Sequence, residues 1–171
     1  RKSDREMITQ NKKKAHLART EAAHLSLANS ASAKPKNFLI SIKPEYASKI
    51  VDGIKTVELR KKFPTEGVVG GIVIVYSSSP VKHIVGYGYI REVRKASVSA
   101  LWRRYGKLSC VTKSFFESYF SGLNEGVAII LAEVVKLKKP IPLDKLQRIP
   151  RITAPQSYRY ATDTMIKTVT R

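Results

Sequence analysis

A chain of 171 residues has room for one domain of ordinary size and an extension. Thirty-two Lys and Arg against thirteen Asp and Glu leave a formal charge of +19, so a polyanion is the expected partner, nucleic acid or an anionic membrane surface. The single cysteine, Cys110, excludes an internal disulfide framework and a cysteine-based zinc site, and no apolar run reaches the roughly 18 residues of a membrane span.

Residues 1–36 read as a basic helical extension and linker. They carry nine Lys or Arg against three acids, hold no aromatic residue, and contain no Gly or Pro between Met7 and Ala28. From Asn37 to Arg171 the composition is that of a compact α+β domain. Phe38 to Ile42 reads as a strand with Phe38, Ile40 and Ile42 on one face. Pro44 opens a helix whose apolar positions are Tyr46, Ala47, Ile50, Val51 and Ile54, and Gly53 marks its exit. Strands follow over Thr56–Arg60 and, after Gly70-Gly71, over Ile72–Tyr76.

A longer strand spans Val81–Val93, with Gly86 and Gly88 on one face, the mark of a bend or a close backbone approach. Val98–Tyr105 and a segment from Thr112 to Gly122 fit short helices, and Val127–Leu137 is the most hydrophobic strand. A last helix is expected from Gln156 to about Val169. Five or so strands with short helices between them predict a small bent sheet or partly closed barrel, without the βαβ alternation or Gly-rich loop of a nucleotide fold.

The most informative segment is Gly53, Lys55, Glu58, Arg60, which matches G-x-K-x-x-E-x-R behind an extended Ser41-Ile42-Lys43-Pro44 and an amphipathic helix. With Ile84 to Gly88 and Pro155 to Tyr160, it closely resembles the ASCH family, a branch of the PUA-like β-barrels, over about residues 37–161. The resemblance implies a mixed PUA-like barrel that binds RNA or a nucleotide in a cleft lined by the motif Lys, Glu and Arg. It also implies that some members are metal-independent hydrolases, which deacylate a modified cytidine or cleave RNA. In the deacylating group a threonine stands where this chain has Glu58, which argues against that substrate here.

The chemistry of the residues themselves is consistent with such a cleft. Arg60 can hold a phosphate or carboxylate with two parallel hydrogen bonds, and Lys55 supplies a compact charge that, if buried beside Arg60, becomes a candidate nucleophile or base. Glu58, ionised beside Arg60, can accept from the exocyclic amine of a base. Strict alternation points Lys55 away from Glu58, so a kink at the strand start is expected. The bland alternative is a lateral surface ion pair between Glu58 and Arg60, worth under about 1 kcal/mol.

Lys43, Tyr76, Arg103, Arg104 and Arg159 complete the expected nucleic-acid contacts, and Ser157, Tyr158 and Arg159 can close over the cleft from the tail. Tyr158 joins Lys55 and Glu58 as a catalytic candidate only if the protein is an enzyme. His16, His24 and His83 lie apart from any carboxylate at ligand spacing, so neither a metal nor another cofactor is expected.

The leading reading is a binding module for single-stranded RNA or a nucleotide, without a membrane partner. The rival is a metal-independent ribonuclease or amidohydrolase. A third reading is an assembly protein that docks on a protein or ribonucleoprotein through residues 1–36. The location expected from the lone cysteine and the charged start is the cytoplasm.

Overall fold

Alternation in Phe38–Ile42 places Phe38, Ile40 and Ile42 in one apolar cluster and Leu39 in another, so strand β1 (Phe38–Ile42) is covered on both faces. The computed structural model describes residues 33–146 and 153–171, and the unit they form runs from Pro35 to Arg171. The helix expected between Met7 and Ala28 lies outside the described residues. Helix α1 (Pro44–Val51) starts on its proline and buries Ala47, Ile50 and Val51. It stops where Gly53 takes φ +74°, a left-handed conformation that a Cβ disfavours.

Strand β2 (Val57–Arg60) follows, then β3 (Ile72–Ser77) and a long β4 (His83–Ser97). Helix α2 (Val98–Tyr105) is capped by the Ser97 hydroxyl, and α3 (Lys113–Tyr119) by Thr112, which accepts from the Phe115 N–H at 3.1 Å. Strand β5 (Glu125–Pro142), a 3₁₀ turn (Leu143–Lys145), β6 (Tyr158–Tyr160) and α4 (Asp163–Val169) complete the described chain.

The six strands lie in the order β2-β5-β4-β3-β1-β6, with β1 and β3 parallel and the other neighbours antiparallel. Register shifts at Ile84/Gly86, Tyr87/Tyr89 and Ile90/Glu92 bend the β4–β5 ribbon and curl the sheet into a half-barrel. Gly86 is required at that bend: a Cβ there would lie 2.5 Å from the Val135 carbonyl oxygen and 2.5 Å from a Val51 methyl. On one face, Phe38, Ile40, Val73, Val75, Ile129 and their neighbours pack against α1. On the other face, Leu39, Ile74, Tyr76 and Ile84 pack against Leu143, Leu146, Met165 and Val169. A third cluster joins Val57 and Leu59 to Leu101, Phe116 and Phe120 under α2 and α3.

Two expectations change. The tail is not helical from Gln156: Tyr158–Tyr160 pairs with β1 as a sixth strand, and α4 begins only after Thr162, whose hydroxyl accepts from the Met165 N–H. Strands β4 and β5 outrun their predicted ends because they pair with each other as far as Ser97 and Glu125, and that pairing holds polar residues that hydrophobic periodicity ignores.

Candidate nucleic-acid interface

The left-handed turn at Gly53 throws the chain back across the end of α1, and the N–H groups of Ile54 and Lys55 both reach the Lys49 carbonyl at 2.9 Å. Lys55 therefore sits ahead of β2 rather than within its alternation, which is the kink expected from its sequence position. Its side chain is 2% exposed, and Nζ donates to the carbonyls of Val57 (2.8 Å) and Ser109 (2.6 Å) and lies 3.1 Å from Glu58 Oε2. Three N–H bonds thus have three acceptors. Held in this way, Lys55 is fixed against Glu58.

Glu58 and Arg60 share the next face of β2. Arg60 Nη2 lies 2.9 Å from Glu58 Oε1 and donates to the Ser41 carbonyl at 2.8 Å, while Nη1 reaches the carbonyl and hydroxyl of Ser157 at 3.4 and 3.3 Å. Ser41 belongs to β1 and Ser157 precedes β6, so one guanidinium spans the seam between the two ends of the sheet. Its Nε is buried and, among the described residues, the one side-chain nitrogen or oxygen in that state without a hydrogen-bond partner. The cluster is a buried ion triad, so the surface-pair alternative for Glu58 and Arg60 does not apply.

Above this triad lies a hollow of about 130 Å³, walled by Tyr46, Phe115 and Tyr119 and reached by Lys43, Glu58 and Arg60. The rings of Phe115 and Tyr119 stack with centroids 6.0 Å apart and planes 11° apart, and Tyr46 stands 5.7 Å from Phe115. Lysines sit over each ring: Lys43 over Phe115 at 5.0 Å, Lys61 over Tyr119 at 5.0 Å, and Lys49 over Tyr46 at 5.8 Å. Desolvation raises the Tyr46 phenol above its ordinary 10.0, helped by a hydrogen bond with Glu45. Desolvation also raises Tyr119, against an opposing pull from Arg60. Both phenols are neutral donors at physiological pH.

Of the expected site residues, Lys43, Lys55, Glu58 and Arg60 come together here. Tyr76 does not; it is 4% exposed and packs with Leu39 and Ile74 on the opposite face of the sheet. Arg103 and Arg104 are exposed on α2 outside the hollow, and Arg159 is exposed on β6 opposite Leu39. Tyr158 is half-buried, edge-on to Phe38 and Phe63. The sequence places Tyr46 on the apolar face of its helix and leaves Phe115 and Tyr119 inside the short helical segment from Thr112, and no spacing signal separates such a stripe from a wall assembled by two helices.

Among the described residues no three His, Cys, Asp or Glu side chains lie together as a metal site, and no helix is long and apolar enough to cross a membrane. A mixed half-barrel with a charged triad at its seam is a PUA-like architecture. The ASCH domain model matches residues 40–141, and the chain belongs to that family. It is 35% identical over 114 residues to an ASCH domain-containing ribonuclease of Zymomonas mobilis, covering 67% of this chain and 76% of that one. The crystal structure of ASCH from Zymomonas mobilis superposes with a TM-score of 0.73 at 30% identity, over 79% of this chain and 94% of that chain. Large ribosomal subunit protein uL22 of Ureaplasma parvum is 29% identical over 111 residues, which is 64% of this chain and 35% of that protein.

Proposed function

We propose that this protein is an RNA-binding module that seats one unpaired base in the hollow and holds the adjoining phosphates on the lysines around it. The carrying observation is the buried Glu58 carboxylate, fixed by Lys55 and Arg60 at the floor of an aromatic-walled hollow. A carboxylate there accepts from a base amine, ring faces supply stacking, and Lys43 and Lys61 are placed for phosphates. Lys55 and Arg60 act as positioning residues for that carboxylate, while Arg103, Arg104 and Arg159 are phosphate contacts beyond the hollow. The reading puts the protein in the cytoplasm, and residues 1–36 remain the segment for a protein or ribonucleoprotein partner.

Fluorescence anisotropy with single-stranded and fully duplex RNA tests this. Single strands should bind more tightly, with affinity falling linearly in log salt, and Phe115→Ala should weaken single-strand binding by about 1–3 kcal/mol. Equal affinity for duplex and single strand, unmoved by Phe115→Ala, would sink it.

A second reading, a ribonuclease, is favoured by one finding, the relative of that name at 35% identity. In that case the neutral phenols of Tyr46 and Tyr119 are candidate acids beside Glu58, and Tyr158, packed on Phe38 and Phe63, is a candidate from the tail. Product formation from RNA in EDTA, lost in Tyr46→Phe or Tyr158→Phe, would establish a metal-independent enzyme. Binding without product would leave the module.

A further inference from the structure

A second concavity, of about 320 Å³, lies between the 3₁₀ turn and α4. It is lined by Lys145, Leu146, Thr164, Lys167, Thr168 and Arg171. Three of these six are cations and none carries a side-chain carboxylate; Asp144 and Asp163 adjoin them in sequence but do not line it. Thr164, Lys167 and Thr168 fall at i, i+3 and i+4 on one side of α4, and Arg171, two residues past the end of the helix, lines the same concavity. Lys145 faces them from the 3₁₀ turn. The two elements are fixed to each other by Leu146, Met165 and Val169, which are 1%, 0% and 3% exposed. The backbone positions of Lys145 and Lys167 are therefore set by packed core.

Elsewhere on the described surface, four basic side chains meet carboxylates, Lys95 with Glu125, Lys113 with Glu117, Lys136 with Asp52 and Arg94 with Glu92, while scattered others such as Arg103, Arg104 and Arg159 do not. Among the described residues, Lys145, Lys167 and Arg171 form no such pair. Three like charges held together in a concavity repel one another and attract a multivalent anion. Two ammonium groups, a guanidinium and the Thr164 hydroxyl are the donor set of a phosphate site, the Thr168 hydroxyl donating instead to the Thr164 carbonyl at 2.9 Å, and the volume exceeds what a single phosphate needs.

We propose that this concavity binds two or more linked phosphates, as a phosphodiester backbone or a free oligophosphate presents them. It lies across the sheet from the hollow, on the Leu39 face. Edge strand β6 runs between the two faces, with Arg159 registered opposite Leu39 and Tyr160, 53% exposed, opposite Phe38. A strand seated in the hollow can pass over that edge and bring its backbone to α4. This last step rests on the RNA reading above; the phosphate site itself does not.

The test uses the full chain. Titration with inorganic pyrophosphate, followed by amide NMR shifts, should move Lys145, Thr164, Lys167, Thr168 and Arg171 first. The double variant Lys167→Gln/Arg171→Gln should abolish those shifts, while Lys138→Gln/Lys139→Gln should leave them intact. The second arm compares oligonucleotides. In the α4 variant, a long single strand should lose affinity and its salt slope should fall by about 1.4, roughly 0.7 for each lost phosphate contact. A trinucleotide confined to the hollow should bind as before.

Pyrophosphate shifts with no change in the RNA slope would assign the site to free oligophosphates and keep the proposal. Shifts spread evenly over the exposed lysines, or unchanged in the α4 variant, would overturn it. Failure of trinucleotide binding in the unaltered protein would count against the hollow alone.

Discussion

At the seam, Lys55 and Arg60 face a carboxylate and are almost wholly out of water, whereas Lys145, Lys167 and Arg171 beside α4 stay exposed and face none among the described residues. The seam invests its charge in geometry: every Lys55 donor is used, and Glu58 is left with one defined orientation. The α4 concavity keeps its charge available. A buried, self-neutralised cluster discriminates by the placement of donors and acceptors, and an open, uncompensated one attracts by total charge. Under the two proposals above, a polyanion is met in both ways.

The largest effect should come from removing the shared counter-ion at the seam. Glu58→Ala leaves two desolvated cations facing each other and should lower stability by about 3–5 kcal/mol in urea unfolding. A loss below about 1 kcal/mol would show that water reaches the triad and would erase the contrast with the surface. Arg60→Lys keeps the charge but loses the fork, and a lysine cannot reach Glu58, Ser41 and Ser157 together. A loss of about 1.5–3 kcal/mol in the same assay is expected, since hydrogen bonds to a charged group go unmade.

Two smaller tests sharpen the comparison. Lys95→Ala breaks an exposed pair with Glu125 and should move the unfolding midpoint by less than about 1 kcal/mol, and by less still in high salt. The raised phenols of Tyr46 and Tyr119 set a pH signature. The unfolded phenols lose their protons first, so their contribution is complete below pH 10.0 and fades as the pH climbs through the raised folded values. Stability followed from pH 8 to 11 should fall at the alkaline end, and less so in Tyr119→Phe.

Much of the fold was written locally. The Phe38–Ile42 alternation, the Pro44 start, the Gly53 stop and the Thr112 cap each act within a few residues, and each appears in the structure as read. The close approach expected at Gly86 is likewise present. The triad was legible because it sits within six residues of sequence. The rest of the site was not, because its walls come from α1 and α3, about 70 residues apart, and its back from Ser41 and Ser157. Tyr76 shows the converse: its aromatic chemistry suited a base, but strand parity turned it to the other core. The sixth strand was missed because Tyr158–Tyr160 owes its conformation to pairing with β1, and three residues carry too little periodicity to announce it.

The guanidinium that hooks Ser41 and Ser157 joins positions 19 and 97 residues away from its own. A ribosome must therefore release residue 157 before the back of the binding slot exists, even though its aromatic front is complete by residue 120. The contacts across the seam close late in synthesis, when the returning tail docks. A nascent chain arrested before that point would carry the full motif with the seam still open.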